Sequence, residues 1–199
     1  MTRTRTDRMV VTGMMIALAT VLSFVKLFEA PMGGSVTLLS MLPLCLISIR
    51  YGVKWGVFSC QIHALLQILL DGGALARSGI SPTAFVGSLV LDYLLAFGVL
   101  GVAGVFCIRR SSEEPWQQKK GLNSARAFAG VMLAVALRFV CHTLSGCIFF
   151  SQWCWEGWNI WVYSICYNGA YMLPESIFTA CGAWILLRVP VSRRLFAPV

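Results

Sequence analysis

The sequence predicts an all-α integral membrane protein, a single domain over residues 1–199 with six transmembrane helices and both termini in the cytoplasm. Three observations predict this class. The chain of 199 residues is 58% hydrophobic and only 12% charged, whereas about a quarter of the residues in soluble domains are charged. Its apolar residues form long runs, and its basic residues cluster at alternate connections between those runs. The net charge of +8 therefore indicates membrane topology rather than nucleic-acid binding.

Crossing the hydrocarbon takes about 20 apolar residues, or fewer where neighbouring protein shields the helix. On this basis we predict helices at residues 9–28, 36–50, 53–70, 83–108, 124–150 and 160–187. The second helix is short and contains Pro43, so we expect it to be kinked or irregular. The first helix follows a basic start but lacks a small-residue cleavage site, so we interpret it as a retained helix rather than a signal peptide.

The basic side chains set the predicted orientation. They precede the first helix, flank the turn between the second and third, occupy the polar linker 109–126 and follow the last helix. The alternate connections, at residues 29–36, 71–82 and 151–159, contain only Arg77. Because basic connections stay on the cytoplasmic side, both termini are predicted there and the number of spans is even.

Polar side chains on four separate helices fall at one depth. With a helix rise of about 1.5 Å per residue, each lies roughly 12 Å below the outer surface: His63, Asp92, His142 and Asn168. Three aromatic side chains lie at or above that level: Tyr93, Phe150 and Tyr163. Aromatic rings around a few polar groups suit a flat or cationic small molecule. The sequence therefore predicts a binding pocket in the outer half of the membrane, closed from the cytoplasm.

Each polar residue also has a purely structural interpretation. Asp92 could pair only with His142 or with a helix-end dipole, and His142 could be a satisfied core histidine. His63 could face a neighbouring helix, and Asn168 could act as a cap or hydrogen-bond the Gly169 backbone. The tryptophans of residues 153–161 are typical of a membrane-interface belt, which leaves Phe150 and Trp153 as candidates for the pocket.

Two charged residues lie deeper than the pocket. Arg138 and Glu175 are each about 12 residues from the outer ends of the fifth and sixth helices. An unpaired charge at that depth costs at least a few kcal/mol, so we predict a structural ion pair between them. No metal or cofactor is predicted, since the eight cysteines are scattered without a CxxC pair.

Six stretches, in this order and spacing, carry a resemblance: ALATVLSFVKL, GGSVTLLSMLPL, ISIRYGVKWG, DYLLAFGVLG, RFVCHTLSGCIFFSQW and WVYSICYNGAYMLPE. They are similar to the thiamine-specific substrate-binding subunits (ThiT/YuaJ type) of energy-coupling factor transporters. The resemblance covers nearly the whole chain. It implies a multi-pass protein of the bacterial plasma membrane that binds thiamine with high affinity and is not an enzyme. Its implied partners are a transmembrane scaffold subunit and two ATPase subunits.

The resemblance also implies residue roles. Asp92 and Tyr93 match an acidic residue and tyrosine that meet the cationic end of thiamine. The family histidine, tyrosine and asparagine match His142, Tyr163 and Asn168. A pocket aromatic eight residues after the histidine matches Phe150.

Two further elements of the family have counterparts. In the family the first outer loop covers the pocket, and the corresponding residues here are Gly33, Gly34 and their neighbours. Gly13 and Ala17 resemble the small-residue face that contacts the scaffold, and small residues four apart allow close helix approach. The chain departs from the family in having Asp92 where glutamate is usual, and His63 where an aromatic residue is expected. Phe150 stands where tryptophan is often found, and the first-loop tryptophan of some members has no clear equivalent.

Two other functions compete with a vitamin-binding subunit. A self-sufficient secondary carrier could couple to protons through Asp92, His142 or Glu175, but such carriers show inverted repeats and broken helix pairs. A membrane enzyme would need a catalytic motif, and neither HExxH nor GxSxG occurs. The sequence also lacks a GxxxxGK[ST] loop, so it cannot energise transport with ATP by itself.

Overall fold

The structure, a computed structural model, describes residues 5–30, 34–77, 79–107 and 122–198, without the side chains of Ala74 and Arg193. In this part of the chain five helices are long and apolar enough to cross a membrane. They are α1 (Arg5–Ser23), α3 (Val53–Ala76), α4 (Pro82–Cys107), α5 (Ser124–Phe149) and α6 (Ile160–Arg188). The shorter elements are β1 (Lys26–Glu29), β2 (Ser35–Thr37), α2 (Met41–Tyr51), a single 3-10 turn (Ser151–Trp153) and α7 (Pro190–Leu195). The prediction of an α-helical membrane protein is confirmed, with α2 as a sixth, shorter apolar helix.

A β-hairpin occupies chain that was predicted as helix. Strands β1 and β2 pair antiparallel, with Lys26 opposite Thr37 and Glu29 opposite Ser35. The predicted end of the first helix, at residue 28, is therefore wrong, and so is the predicted start of the second, at residue 36. Short apolar runs fit a strand as well as a helix, and periodicity alone does not separate them.

Helix α2 is regular, and the expected irregularity at Pro43 is wrong. Pro43 lies in the first turn of the helix, where its missing N–H would have had no helical partner. Eleven residues rise only about 16 Å, which is too short to cross the hydrocarbon. Every residue from Met41 to Arg50 is buried, so α2 is a core helix enclosed by the longer ones.

Small residues bring α4 close to its neighbours. A methyl group added at Gly101 would overlap the backbone of α3 at Val57, and one at Gly104 would overlap α2 at Ser48. From α5, Gly130 lies against the carbonyl of Ala103 in the same way. Membrane helices associate mainly through such close backbone approach, because lipid provides little hydrophobic drive. The second half of α4 is thus fixed on three sides.

Several basic side chains gather at one end of the bundle. The Arg8 guanidinium lies 4.0 Å from the centre of the Trp55 ring, and Trp55 Nε1 donates to Thr12 Oγ1 at 2.9 Å. Arg50 donates to the carbonyl of Leu195. The start of α1, the α2–α3 turn and α7 therefore share this end, here called the basic end. Arg3 and most of the linker 109–126 lie outside the described residues, and the cytoplasmic location of both termini stays a prediction.

The close contact at Gly130 predicts a large difference between two Gly→Ala substitutions. Gly130→Ala should destabilise the detergent-purified protein by about 1–3 kcal/mol, because its methyl overlaps backbone that has no room to move. A methyl group added at Gly13 has no other atom within 4 Å. Gly13→Ala should therefore stabilise the protein slightly, by at most about 1 kcal/mol, through helix propensity. Thermal unfolding followed by circular dichroism measures both. Equal midpoints for the two variants would contradict the packing described.

Candidate functional site: a cavity opposite the basic end

A cavity of about 850 Å³ lies in the bundle away from the basic end. Its walls are the hairpin, the end of α1, the second halves of α3 and α5, the middle of α4 and the first part of α6. Helices α1 and α3 both start at the basic end and contribute residues from their later turns, which places the cavity towards the opposite end. Its volume lies within the range of small-molecule sites, about 300–1,000 Å³.

All of the predicted pocket residues line this one cavity. They are Gly34, His63, Asp92, Tyr93, His142, Phe150, Tyr163 and Asn168. Trp153, Arg138 and Glu175 line it as well. The polar side chains that the sequence placed at one depth are thus brought together by the fold from four helices.

Asp92 of α4 is held by two side chains of α5. One carboxylate oxygen, Oδ1, lies 3.0 Å from His142 Nδ1, and the other, Oδ2, accepts from Ser145 Oγ at 2.5 Å. His142 and Ser145 are one turn apart on α5, so α5 presents both partners on one face. His142 Nε2 is buried and has no hydrogen-bond partner among the described residues. Because a buried polar atom without a partner is costly, Nε2 is the site's most conspicuous point for a ligand contact.

The backbone around Asp92 is not a regular α-helix. Residues Leu89–Leu95 of α4 form a π-helical segment, and such segments are frequent at functional sites. In an α-helix adjacent side chains point about 100° apart. The wider π turn holds more residues, so adjacent side chains diverge less. This geometry lets the neighbours Asp92 and Tyr93 both face the cavity.

Asn168 uses its amide within the protein. Its Nδ2 donates to the carbonyl of Ser164 at 2.9 Å and to the carbonyl of His142 at 3.3 Å. Its Oδ1 accepts from the Tyr171 hydroxyl at 2.6 Å. These bonds fix α6 against the turn of α5 that carries His142. Asn168 therefore bonds the backbone of Ser164 and His142 rather than that of Gly169, and it also lines the cavity.

His63 has protein partners at both ring nitrogens. Thr20 Oγ1 of α1 lies 3.3 Å from Nδ1, and the amide nitrogen of Gln67 lies 3.3 Å from Nε2. The ring meets Phe97 edge-on, with centroids 4.9 Å apart. His63 thus faces a neighbouring helix, as its structural alternative proposed, while forming part of the cavity wall.

Arg138 and Glu175 do not form the predicted ion pair, although both line the cavity. Glu175 Oε1 accepts from Thr37 Oγ1 at 2.5 Å and from Ser40 Oγ at 3.3 Å. Arg138 turns to α4, where Nη1 donates to the Ala96 carbonyl at 3.4 Å and the guanidinium lies 4.1 Å from the Phe97 ring centre. Hydroxyl donors satisfy a buried carboxylate without an opposite charge. The prediction failed because strand β2 and the residues just before α2 bring those hydroxyls to Glu175.

The hairpin covers the cavity by resting on α6. A methyl group added at Gly34 would lie 2.5 Å from the ring of Tyr171, so glycine permits the backbone to sit directly on that ring. The Thr37 and Ser40 bonds to Glu175 hold the other end of the hairpin. Gly33, which was also assigned to the covering loop, lies outside the described residues.

Aromatic rings form much of the remaining wall. Tyr163 and Tyr167 stack with centroids 6.1 Å apart, and Phe150 lies 5.7 Å from Trp153. The tryptophans beyond the cavity are exposed, as a membrane-interface belt requires: Trp155, Trp158 and Trp161.

The cavity carries more acidic than basic side chains. The acidic ones are Glu29, Asp71, Asp92 and Glu175, and the basic ones are Lys26 and Arg138. Lys26 is paired with Glu29 at 3.0 Å. The described residues contain no group of three or more His, Cys, Asp or Glu arranged to hold a metal ion. A cationic organic ligand therefore fits the charge of the cavity better than an anion does.

Several wall residues were not predicted. Ser145 and Tyr171 each lie three residues after a predicted site residue, and this helical spacing could have identified them. Thr37 and Ser40 had no such signal, because their segment was assigned to a helix. Gly13 and Ala17 lie apart from the cavity, exposed on the surface of α1.

Comparisons with known proteins agree with this architecture. The family described as Thiamine transporter protein (Thia_YuaJ) matches residues 9–194. A protein of Bacillus subtilis (strain 168) described as thiamine transporter ThiT is 32% identical over 177 residues, 87% of this chain and 86% of its own. A second thiamine transporter ThiT, from Lacticaseibacillus paracasei, is 25% identical over 150 residues, 75% of this chain and 71% of its own.

A solved structure of ThiT from Listeria monocytogenes has a similar fold. It superposes with a TM-score of 0.72 at 27% identity, covering 96% of this chain and 98% of that one. These matches confirm the resemblance found in the sequence, the location in the bacterial cell membrane and the expectation of a transport protein rather than an enzyme. The chain belongs to the thiamine transporter family Thia_YuaJ.

Proposed function

We propose that this protein is the high-affinity thiamine-binding subunit of an energy-coupling factor transporter and captures thiamine in the cavity. The observation that carries the proposal is the Asp92–His142 pair, 3.0 Å apart, in the wall of a cavity lined by aromatic rings. Family membership supports thiamine uptake as the general function.

The cavity chemistry matches the two rings of thiamine. The thiazolium carries a permanent positive charge, and the Asp92 carboxylate is a counter-charge already held by His142 and Ser145. A cation over a desolvated aromatic face gains about 2 kcal/mol from each well-placed ring. The aminopyrimidine is flat and bears both donors and acceptors, so its edge can bond the unpartnered His142 Nε2. Tyr93, Phe150 and Tyr163 would lie against the faces of the thiamine rings.

The side of entry follows from the charge distribution. Basic side chains gather at the end formed by the start of α1 and the α2–α3 turn, and such an end faces the cytoplasm in membrane proteins. The cavity lies towards the opposite end, beneath the hairpin. Capture from outside the cell is therefore the direction that we propose.

Transport driven by ATP requires a partner, since this sequence has no ATP-binding loop. Gly13 and Ala17 lie one helical turn apart on the exposed surface of α1, and nothing lies within 4 Å of a methyl group added at Gly13. A face of small residues lets another membrane helix approach closely. We propose this face as the contact with a transmembrane scaffold subunit, which is in turn driven by two ATPase subunits.

Replacement of the counter-charge should weaken thiamine binding selectively. Asp92→Asn should raise the dissociation constant by about 30-fold or more, because removing one partner of a buried charged contact costs about 2 kcal/mol or more. Titration of the detergent-purified protein with thiamine, followed by tryptophan fluorescence, measures the change.

The matched control for this titration is Glu156→Gln. Glu156 is an exposed carboxylate in the loop between α5 and α6, and its neutralisation should leave the affinity within about twofold, as is usual for exposed charges. Equal losses in Asp92→Asn and Glu156→Gln would show that Asp92 is not the counter-charge.

A bulky residue on the exposed face of α1 should separate binding from transport. Ala17→Leu should leave thiamine affinity unchanged but abolish uptake into vesicles that contain the scaffold, both ATPases and ATP, because leucine prevents close helix approach. Ala129→Leu, at an exposed position of α5, is the control and should import normally. Uptake without the partner subunits would instead favour the self-sufficient, proton-coupled carrier.

A further inference from the structure

Gln61 lies outside the cavity wall but is bonded to the segment that carries Asp92. The side chain extends from α3 to α4, where Nε2 donates to the Leu94 carbonyl at 2.9 Å. Leu94 belongs to the π-helical segment Leu89–Leu95. The bond therefore joins α3 to the part of α4 that aims Asp92 and Tyr93 into the cavity.

The bond is placed where the wide turns of α4 end. After the π-helical segment the chain returns to an α turn at Ala96–Gly98. Arg138 of α5 donates to the Ala96 carbonyl at 3.4 Å, two residues beyond the Leu94 carbonyl. Side chains from the helices on either side thus supply donors where the helical register changes. Insertion of side-chain donors is a known cause of irregular helical turns.

Gly98 is the companion of Gln61. A methyl group added at Gly98 would lie 2.5 Å from Gln61 Nε2, so the end of the flexible Gln61 side chain would have to move to admit alanine. Glycine is unfavourable inside a helix compared with alanine. Glycine at this position leaves the amide where it bonds the Leu94 carbonyl.

We propose that Gln61 is a positioning residue: by bonding the Leu94 carbonyl it maintains the π-helical register that directs Asp92 and Tyr93 together into the cavity. Without this bond, the segment has less reason to differ from a regular helix, in which the two side chains diverge more widely. Asp92 would then move away from His142 and Ser145. The proposal rests on the proposed function only for the use of thiamine as the ligand.

The main test replaces Gln61 with leucine, which is similar in size but cannot donate. Gln61→Leu should weaken thiamine binding by about tenfold, the scale expected for loss of a buried hydrogen bond. Ser59→Ala is the control on the same helix, because the Ser59 hydroxyl donates only within α3, to the Trp55 carbonyl at 2.7 Å. Its affinity should remain at the wild-type value.

Two double-mutant cycles distinguish a positioning role that acts through Asp92 from a general effect on stability. If Gln61 acts through Asp92, Gln61→Leu should cost much less in an Asp92→Asn background than in the wild type. Gly98→Ala should weaken binding in the wild type but have little further effect with Gln61→Ala, where the methyl has room. Full additivity in both cycles, or wild-type affinity in Gln61→Leu, would overturn the proposal.

A ligand-free measurement keeps this proposal distinct from the thiamine assignment. Hydrogen–deuterium exchange of residues 89–98 should accelerate in Gln61→Leu and remain unchanged in Ser59→Ala, since only the first loosens the segment. Unchanged exchange in Gln61→Leu would overturn the positioning role. Failure of the wild-type protein to bind thiamine would instead overturn the proposed function, with the exchange result still deciding the role of Gln61.

Discussion

A carboxylate inside an apolar helix bundle is stable only with hydrogen-bond partners, and this requirement shapes the cavity around Asp92. His142 and Ser145 provide those partners from successive turns of α5. The wide turns of α4 allow the carboxylate to reach them while Tyr93 also faces the cavity. Asn168 then fixes α6 to the backbone at His142. The contacts of Asp92 with His142 and Ser145 thus join α4 to α5, and the bond from Asn168 joins α5 to α6.

Close packing elsewhere allows this polar centre to exist. Gly101, Gly104 and Gly130 let α4 touch the backbones of α2, α3 and α5 directly. Helix α2, which is too short to cross the membrane, is buried from Met41 to Arg50. The contacts of Gly101 and Gly104 lie near the α2–α3 turn, at the basic end. The opposite end is left with room for a cavity covered by the hairpin.

The composition of the cavity wall explains why it suits a cationic ligand. Its acidic side chains outnumber the basic ones whether or not Arg138 and Glu175 touch, because both residues line the cavity. Glu175 is bonded to the hydroxyls of Thr37 and Ser40, and Arg138 is directed to α4. The aromatic rings in the wall add a favourable surface for a cation. Glu175 also bonds the hairpin to α6. The same residue therefore helps to cover the cavity and contributes to its negative charge.

The sequence by itself determined the class of protein, the bounds of the long helices to within about six residues, and several of the side chains that meet in the cavity. These follow from hydropathy, charge placement and helix rise, which are properties of each segment alone. The tertiary structure decided the hairpin, the π-helical segment and the partners of Arg138 and Glu175. Each of these depends on a neighbour distant in sequence: Tyr171 beneath Gly34, Gln61 against Leu94, and Thr37 beside Glu175. A pattern within one segment does not contain such contacts, because a backbone or a buried charge adopts the geometry that its packed neighbours can satisfy.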